Sequence, residues 1–427
     1  PIKEKYMLLS FHIKNYRSIL DAILPMRYAE KKAPNGYREM ELFPFLEVNG
    51  VRTVPCLAIY GANASGKSTI ILAFKSFVEI IRNRYDPKLV VPNRLHPGND
   101  ITSFILEFMV GERIFRYVLE VDRKEIVTET LTENGETIFS ITDGIPMLTK
   151  VSTEGYPEKK LNKTFLVECL DKERLFRTPF ITVIGKNYAG LHESMTAAFD
   201  FMSNKLEVHS DTRLPFSFGL DKLANTDDEK EVQRAFEEIA SILRKLDIDI
   251  TRMEYKRDVV KTDLFGNMEL IKQVALFKNT SLSTKMYSYH KDVHGNEVRF
   301  DFTDESAGTR RVASLLCVVL AALRSGTVLV VDELGTSLHP ILLAEIVRMF
   351  KDKRYNTSNA QLIFTTHNTD IMEQDMMRVS EIGFVNKTKK RGSTFSRVSE
   401  FKGIRNVTNF RKQYLQGSFS GIPYPYI

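Results

Sequence analysis

The chain has 427 residues, more than a single hydrophobic core usually serves, so two or three sub-domains are expected. Hydrophobic residues make up 43% of it and charged residues 27%, which excludes an intrinsically disordered protein. The longest apolar run, residues 312–323, is shorter than the roughly 20 residues of a membrane-spanning helix, so no membrane partner is expected. The three cysteines lie far apart, without a CxxC pair, which argues against a disulfide framework or a zinc site and favours a cytoplasmic location.

The formal net charge of +6 is unevenly distributed. Residues 387–412 carry a run of basic side chains and a single acid, Glu400. A solvated surface is one interpretation of this basic strip. A phosphate-rich partner such as DNA or RNA is the other, because clustered Lys and Arg neutralise nucleic-acid backbones. The basic residues of the strip are Lys387, Lys389, Lys390, Arg391, Arg397, Lys402, Arg405, Arg411 and Lys412.

The first part of the chain alternates between strands and one helix. Residues 7–14 show the period-two alternation of a half-buried strand, and Met7 is a candidate natural start of the chain. Residues 54–60 are almost wholly apolar, which is typical of a parallel strand buried on both faces. A glycine-rich turn and a helix over residues 68–84 follow. Residues 101–145 predict an antiparallel β-subdomain that begins with a hairpin.

The second part predicts helices first and then an α/β pattern. Residues 191–246 are expected to be mainly helical, with the clearest helix at 228–246. Short strands follow, and then helices alternate with apolar strands up to residue 365, which indicates a parallel sheet. We therefore predict an α/β fold with two lobes, an antiparallel β-subdomain and a helical insertion. The predicted segments are 1–190, 191–290 and 291–427. The later predicted elements are strands at 250–256, 270–277, 298–302, 328–331 and 361–365 and helices at 309–323 and 340–351.

The strongest functional signal is the segment Gly61-Ala62-Asn63-Ala64-Ser65-Gly66-Lys67-Ser68-Thr69, which fits the phosphate-loop pattern GxxxxGK[ST]. An apolar strand precedes it and a helix follows it, so backbone amides and the positive end of the helix would face an anion. In this pattern Lys67 would reach the β- and γ-phosphates and Ser68 would ligate Mg²⁺. The segment predicts binding of a nucleoside triphosphate.

Two further positions carry candidate chemistry. The apolar residues 328–331 end at Asp332 and Glu333, placed to hold Mg²⁺ and to orient and deprotonate a water. The strand predicted at 361–365 is followed by His367, which would lie at the ligand edge of the sheet and could hydrogen-bond a γ-phosphate. These three residues predict hydrolysis of the bound nucleotide.

Together these motifs resemble the ATP-binding-cassette (ABC) type of P-loop ATPase, in its soluble RecF- and SMC-like branch. The matching segments are the Walker A loop at 61–69, Glu305-Ser306-Ala307-Gly308-Thr309, Asp332-Glu333, Ser337-Leu338-His339-Pro340 and Thr365-Thr366-His367. The resemblance implies an ATPase with ATP and Mg²⁺. It also implies that Ser306 and Gly308, in the signature segment, contact ATP held by the other subunit of a dimer, and that residues 337–340 form the D-loop at the dimer seam.

A closer resemblance is to ATPases of the overcoming-lysogenisation-defect (OLD) and abortive-infection group. It depends on Asn15-Tyr16-Arg17-Ser18 near the start and on residues 414–423 near the end. Three departures stand out. Ala64 replaces a common glycine, Ser418 and Ser420 replace the usual arginine and glycine, and no glutamine between Thr69 and Gln233 marks a Q-loop.

The resemblance implies a sensor or switch in anti-phage defence that forms a homodimer or a higher oligomer. Some relatives carry a C-terminal Toprim-type nuclease, but about sixty residues follow His367, so we expect the toxic effector to be a separately encoded partner such as a nuclease. The alternative is a RecF- or SMC-like ATPase that binds DNA in repair, which the basic strip supports. A transporter subunit is a weaker hypothesis, because the signature segment is far from LSGGQ.

Overall fold

The computed structural model describes residues 5–29, 46–148, 177–190, 192–210, 223, 229–262, 268–271, 280–335, 339–372, 376–388, 392–403 and 409–419. The chain divides into two compact units. The first comprises Pro1–Thr212 and Ala322–Ile427, and the second comprises Arg213–Ala321. The boundaries predicted from the sequence, at residues 190 and 290, are based on secondary structure, whereas this division is based on compactness. The three predicted segments therefore stay a prediction.

The strands are, in chain order, β1 (Tyr6–Tyr16), β2 (Ile19–Pro25), β3 (Leu46–Val48), β4 (Val51–Thr53), β5 (Cys56–Tyr60), β6 (Thr102–Val110), β7 (Arg113–Val121), β8 (Ile126–Glu133), β9 (Glu136–Thr142), β10 (Ile145–Leu148), β11 (Leu206–His209), β12 (Arg252–Thr262), β13 (Met268–Ile271), β14 (Thr280–Lys291), β15 (Glu297–Asp301), β16 (Val328–Val331), β17 (Gln361–Thr365), β18 (Ile382–Thr388) and β19 (Gly392–Arg397). The helices are α1 (Lys67–Arg82), α2 (Phe180–Asn187), α3 (Glu193–Asn204), α4 (Glu229–Lys245), α5 (Ala307–Ser325), α6 (Pro340–Lys351) and α7 (Phe410–Leu415).

The first unit is built on a 13-stranded mixed sheet in the order β10-β9-β8-β7-β6-β1-β2-β19-β18-β5-β17-β16-β11. Strands β18, β5, β17, β16 and β11 run parallel to one another, and β6 to β10 form an antiparallel meander. The predicted α/β fold with an antiparallel β-subdomain is therefore confirmed. Because the central strands are parallel, the loops that follow β5, β16 and β17 meet at one edge of the sheet.

The parallel strands are covered on both faces, which explains their continuous hydrophobicity. All five residues of β5 are buried. Leu57 and Ile59 belong to the main hydrophobic core together with Phe74 of α1. Cys56, which precedes Leu57, faces the other way, and its Sγ lies 3.9 Å from the carbonyl oxygen of Val347 in α6. The sheet thus packs between α1 and α6, and α1 carries the phosphate loop at its start.

Most predicted elements agree with the structure, and β16, β17 and α6 match to the residue. Strand β11 was not predicted, since residues 191–246 were expected to be mainly helical. Its four residues include Glu207 and His209, both buried, and His209 Nε2 lies 2.7 Å from Glu207 Oε1. The segment alternates apolar and polar residues, but four residues are the shortest run that indicates a strand, and they directly follow a helix. Its parallel pairing with β16 decides its conformation.

The second unit contains a four-stranded antiparallel sheet in the order β13-β12-β14-β15. Helix α4 packs on it through Phe236, whose ring lies 5.4 Å from that of Tyr255. The unit boundary falls inside helix α5, between Ala321 and Ala322. In the ranges that the structure describes, no helix has both the length and the apolar character needed to cross a lipid bilayer.

A buried carboxylate joins the antiparallel meander to helix α2. Glu129 in β8 is 2% exposed and accepts hydrogen bonds from the backbone N–H groups of Phe180 (2.6 Å) and Ile181 (2.9 Å). It also accepts one from the Tyr117 hydroxyl at 2.9 Å. The two N–H groups belong to the first turn of α2, where no intrahelical partner exists. Burial raises the pKa of Glu129 to about 7, although these three hydrogen bonds oppose the shift.

We expect this carboxylate to make the stability of the protein pH-dependent. Because the pKa of Glu129 is raised on folding, the folded chain holds the proton more tightly, and this stabilisation is lost as the pH rises through about 7. Chemical denaturation should show the wild type losing about 2–3 kcal/mol between pH 5 and pH 8, relative to a Glu129→Gln variant that cannot titrate. A stability difference between the two proteins that is the same at both pH values would contradict this expectation.

Candidate nucleotide site

The phosphate loop, residues 61–69, lies between β5 and α1 as the sequence predicts. It starts at Gly61 directly after β5 and ends in the first turn of α1. Asn63, Ala64 and Ser68 are exposed, whereas Ser65 and Lys67 are buried. The loop therefore has an exposed side that solvent or a ligand can reach and a buried side that packs on the protein, as a loop that wraps an anion requires.

Two glycines leave the space that the loop needs. A Cβ at Gly61 would lie 2.5 Å from the carbonyl oxygen of Val385, and a Cβ at Gly66 would lie 2.5 Å from Ser393 Oγ. Gly66 has φ +111°, in the region that disfavours side chains. Ala64, which replaces a common glycine, also has a left-handed backbone with φ +61°, so alanine is a strained choice there.

Lys67 is the buried positive charge of the loop. It is 6% exposed, and its Nζ donates hydrogen bonds to the carbonyl oxygens of Gly61 at 2.8 Å and Ala62 at 3.1 Å. Desolvation lowers the pKa of Lys67, while the carboxylates of Asp332 and Glu333 oppose the shift. This coupling shows that the phosphate loop and the end of β16 share one electrostatic site.

A single hydroxyl group holds both residues that follow β16. Thr365 Oγ1, at the end of β17, donates to Asp332 Oδ1 at 2.5 Å and accepts the backbone N–H of Glu333 at 2.6 Å. Glu333 is exposed and has φ +52°, an uncommon conformation for a non-glycine residue. Strained residues of this kind cluster at functional sites. Local sequence pattern assigns no role to Thr365, because its bonds cross between two strands.

His367 lies at the same edge of the sheet, two residues beyond β17, and is exposed. Its pKa is lowered by desolvation and then by the positive charge of Lys67, while Glu333 and Asp332 oppose the shift. A lowered pKa keeps the imidazole neutral at pH 7, so that one ring N–H is available as a donor. The charges of Lys67, Asp332 and Glu333 thus all reach His367.

Hydroxyl groups from both ends of the chain support the phosphate loop. Ser393 Oγ, in β19, donates to the carbonyl oxygen of Ser65 at 2.7 Å and lies 2.9 Å from Ser18 Oγ. Ser18 Oγ is 3.4 Å from Thr69 Oγ1 at the start of α1. Ser18 is the last residue of the segment 15–18, whose family resemblance is the sequence signal that could have identified it. Ser393 has no sequence signal.

The site offers suitable donors for Mg²⁺ and for a triphosphate. Ser68 presents an exposed hydroxyl in the first turn of α1, and Asp332 is partly exposed. Mg²⁺ is commonly bound by one or two protein oxygens together with substrate phosphates. The buried Ser65 Oγ has no hydrogen-bond partner among the described residues, so a polar atom of the loop remains available to a ligand. The residues present therefore fit both groups.

The signature segment, residues 305–309, lies in the second unit. Ser306 and Gly308 are exposed. Ser306 Oγ accepts the backbone N–H of Thr309 at 3.1 Å, so it caps the first turn of α5. Glu305 is held from β14 by Ser288 at 2.5 Å and His290 at 2.6 Å. Of the predicted D-loop, Ser337 and Leu338 lie outside the described residues.

The basic strip is not a uniform cationic surface. Arg397 is 7% exposed, and its guanidinium donates to the carbonyl oxygens of Pro25 at 3.2 Å and Arg27 at 2.7 Å. Arg411 forms an ion pair with Asp370 at 3.0 Å. These two residues have structural partners, so they give no support to a nucleic-acid surface. Lys389, Lys390, Arg391 and Arg405 lie outside the described residues.

A known family model matches residues 56–373 of the chain. The matching family model is described as "AAA domain, putative AbiEii toxin, Type IV TA system". The match spans the phosphate loop, the signature segment, Asp332, Glu333 and His367. A search of curated protein sequences finds no match.

Among solved structures, similar chains include an Smc head bound to the C-winged helix domain of ScpA, with a TM-score of 0.45 and 12% identity over 91% of this chain and 97% of that chain. The SMC head domain from Thermotoga maritima has a TM-score of 0.42 and 14% identity over 91% and 98%. The recombination mediator RecF with ATP has a TM-score of 0.39 and 11% identity over 90% and 97%. Similarity at this level says nothing about what this chain binds.

Proposed function

The chain belongs to the AAA-domain family whose description names an AbiEii toxin and a type IV toxin–antitoxin system, and from that premise we propose that it is an ABC-type ATPase that acts as a switch in anti-phage defence. In this proposal it dimerises around ATP and Mg²⁺ and gates a separately encoded toxic effector such as a nuclease. The observation that carries the ATPase proposal is the convergence of Lys67, Asp332, Glu333 and His367 at one edge of the sheet, after the ends of β5, β16 and β17.

The phosphate loop would bind the triphosphate of ATP. Its backbone amides and the start of α1 provide partial positive charge, and Lys67 adds a full charge close to the β- and γ-phosphates. Ser68 and Asp332 would hold Mg²⁺, which would neutralise charge that develops on the phosphate oxygens. Lys67 has the required freedom, because its two present hydrogen bonds go to loop carbonyls that a phosphate contact can replace.

Glu333 would act as the general base. Its carboxylate is exposed at the end of β16, while its backbone is fixed by the N–H bond to Thr365. A base must be held within hydrogen-bond reach of the attacking water, and a fixed backbone limits the positions that the carboxylate can take. His367, neutral at pH 7, would donate its N–H to the γ-phosphate.

The signature segment would complete the site of a second subunit. Ser306 and Gly308 are exposed at the start of α5, a helix of 19 residues, so the hydroxyl and the positive end of the helix are accessible to a partner. Closure of the dimer would then depend on bound ATP, and hydrolysis would release it. Such a ligand-dependent interface is what a switch needs.

A mixing experiment tests the dimer. Lys67→Ala should inactivate the phosphate loop, and Ser306→Arg should block the signature segment, so each variant alone should be inactive. Mixed in equal amounts, they should recover about one quarter of the wild-type ATPase rate, because half of the dimers are mixed and each contains one complete site. A mixture that stays inactive would contradict the proposal that each ATP site combines the phosphate loop of one subunit with the signature segment of the other.

A pull-down from the native host tests the defence role. Glu333→Gln protein should hold the ATP-bound form, and we expect it to recover a stoichiometric partner protein encoded next to its own gene. Lys67→Ala protein, which should not close, is the matched control and should recover less of this partner. Recovery of DNA without such a protein would favour the alternative, a RecF- or SMC-like ATPase in DNA repair.

A further inference from the structure

The loop that carries His367 is held by the strand that precedes the phosphate loop. The hydroxyl group of Tyr60, the last residue of β5, donates to the carbonyl oxygen of Asn368 at 3.0 Å. Tyr60 is 1% exposed. Burial, together with Tyr414 and Asp370, raises its pKa well above the ordinary range, so the phenol keeps its proton and remains a donor. The residue next to His367 is therefore tied to the residue next to Gly61.

The C-terminal helix α7 holds the same loop from outside. Arg411 Nε donates to Thr369 Oγ1 at 3.1 Å, and another nitrogen of the same guanidinium forms the 3.0 Å ion pair with Asp370. The backbone N–H of Asp370 donates to Asn368 Oδ1 at 2.8 Å. Three successive residues after His367 are thus fixed, and two of them are fixed by one guanidinium group.

Aromatic packing holds α7 in this position. The Tyr414 ring lies 5.8 Å from that of Tyr60 and is stacked on Phe384 at 5.1 Å with an interplanar angle of 11°. Phe419 stacks on the same Phe384 at 5.4 Å. Stacked and tilted aromatic contacts at these separations stabilise beyond their buried area. The segment 409–419 is therefore packed against β5 and β18, next to the nucleotide site.

We propose that Tyr60 and Arg411 are positioning residues, through which the C-terminal segment sets the place of His367 relative to the phosphate loop. The proposal rests on the role given to His367 under the proposed function. The His367 side chain is exposed, so packing does not orient it, and its position follows from its backbone. That backbone is restrained by the contacts of Asn368, Thr369 and Asp370. Two described residues of the closing motif, Tyr414 and Phe419, contribute by holding α7 against Phe384.

The test compares steady-state ATP hydrolysis by Tyr60→Phe and Arg411→Gln with the wild type. Each substitution removes the hydrogen bonds and leaves the aromatic cluster in place. We expect kcat to fall about 5- to 10-fold in each, with KM for ATP unchanged within about twofold, because phosphate binding does not use these groups. Arg354→Gln, which removes a surface ion pair with Asp352 beyond the end of α6, is the control and should leave both constants unchanged.

A double-mutant cycle decides whether the two residues act through His367. In a His367→Ala background, Tyr60→Phe should cause no further loss of kcat, since the group that it positions is gone. A further loss as large as that in the wild type would overturn the proposal. Tyr60→Phe activity equal to the wild type, with His367→Ala slow, would also overturn it and leave the proposed function intact. A fully active His367→Ala protein would instead refute the role of His367 on which the proposal rests.

Discussion

Glu333→Gln should lower the rate of ATP hydrolysis by about 10²- to 10⁴-fold while leaving ATP binding in place. The amide cannot accept a proton from water, but it keeps the size of the side chain. The backbone N–H bond from Glu333 to Thr365 is unaffected by the substitution. The ATP-bound variant should accumulate as a dimer, which light scattering coupled to size-exclusion chromatography would detect.

Two variants make this expectation specific. Lys67→Ala removes the buried positive charge of the phosphate loop, so it should bind ATP weakly and remain monomeric when ATP is added. Glu136→Gln changes an exposed carboxylate in β9 and should hydrolyse ATP at the wild-type rate. If Glu333→Gln hydrolyses ATP as fast as that control, Glu333 is not the base.

The second large effect concerns stability. Lys351, at the end of α6, is 2% exposed, and its Nζ lies 2.5 Å from Glu381 Oε2. The same ammonium donates to the carbonyl oxygen of Met376 at 2.6 Å, and Glu381 Oε2 also accepts the backbone N–H of Arg378 at 2.7 Å. The carbonyl of Glu381 accepts the N–H of Ala58 in β5 at 2.8 Å. The ion pair therefore ties α6 to the strand that carries the phosphate loop.

We expect Lys351→Met to destabilise the protein by about 3–5 kcal/mol, because it leaves the buried carboxylate of Glu381 without its positive partner. Chemical denaturation would measure the change. Adding Glu381→Gln should recover part of the loss, since the uncompensated charge is then removed while the acceptor for Arg378 remains. Lys353→Met, at an exposed position two residues along, should change stability by less than about 0.5 kcal/mol. Equal effects of the two lysine substitutions would show that the buried pair contributes nothing.

Local sequence patterns sufficed for the central elements of the fold. Strands β5 and β16 are continuous apolar runs, and β17 has an apolar centre, Leu362–Phe364. A short apolar run between polar segments is typical of a strand buried on both faces, so the local pattern indicated these elements, although sequence-distant strands and helices provide the burial. Strand β11 could not be predicted in this way, because Glu207 and His209 interrupt its apolar residues and its parallel pairing with β16 decides its conformation.

The phosphate loop and the candidate residues Lys67, Ser68, Asp332, Glu333 and His367 could be predicted from the sequence alone, because the proposed functions need particular residue types at fixed local spacing. Only the tertiary structure decided which residues fix the phosphate loop and the loop of His367 in place. Ser393 and Ser18 meet across 375 residues of chain, and Tyr60 reaches Asn368 across 308. A hydroxyl group that bonds to a backbone carbonyl constrains no neighbouring residue type, so such contacts leave no pattern in one sequence and arise only when parallel strands bring their ends together.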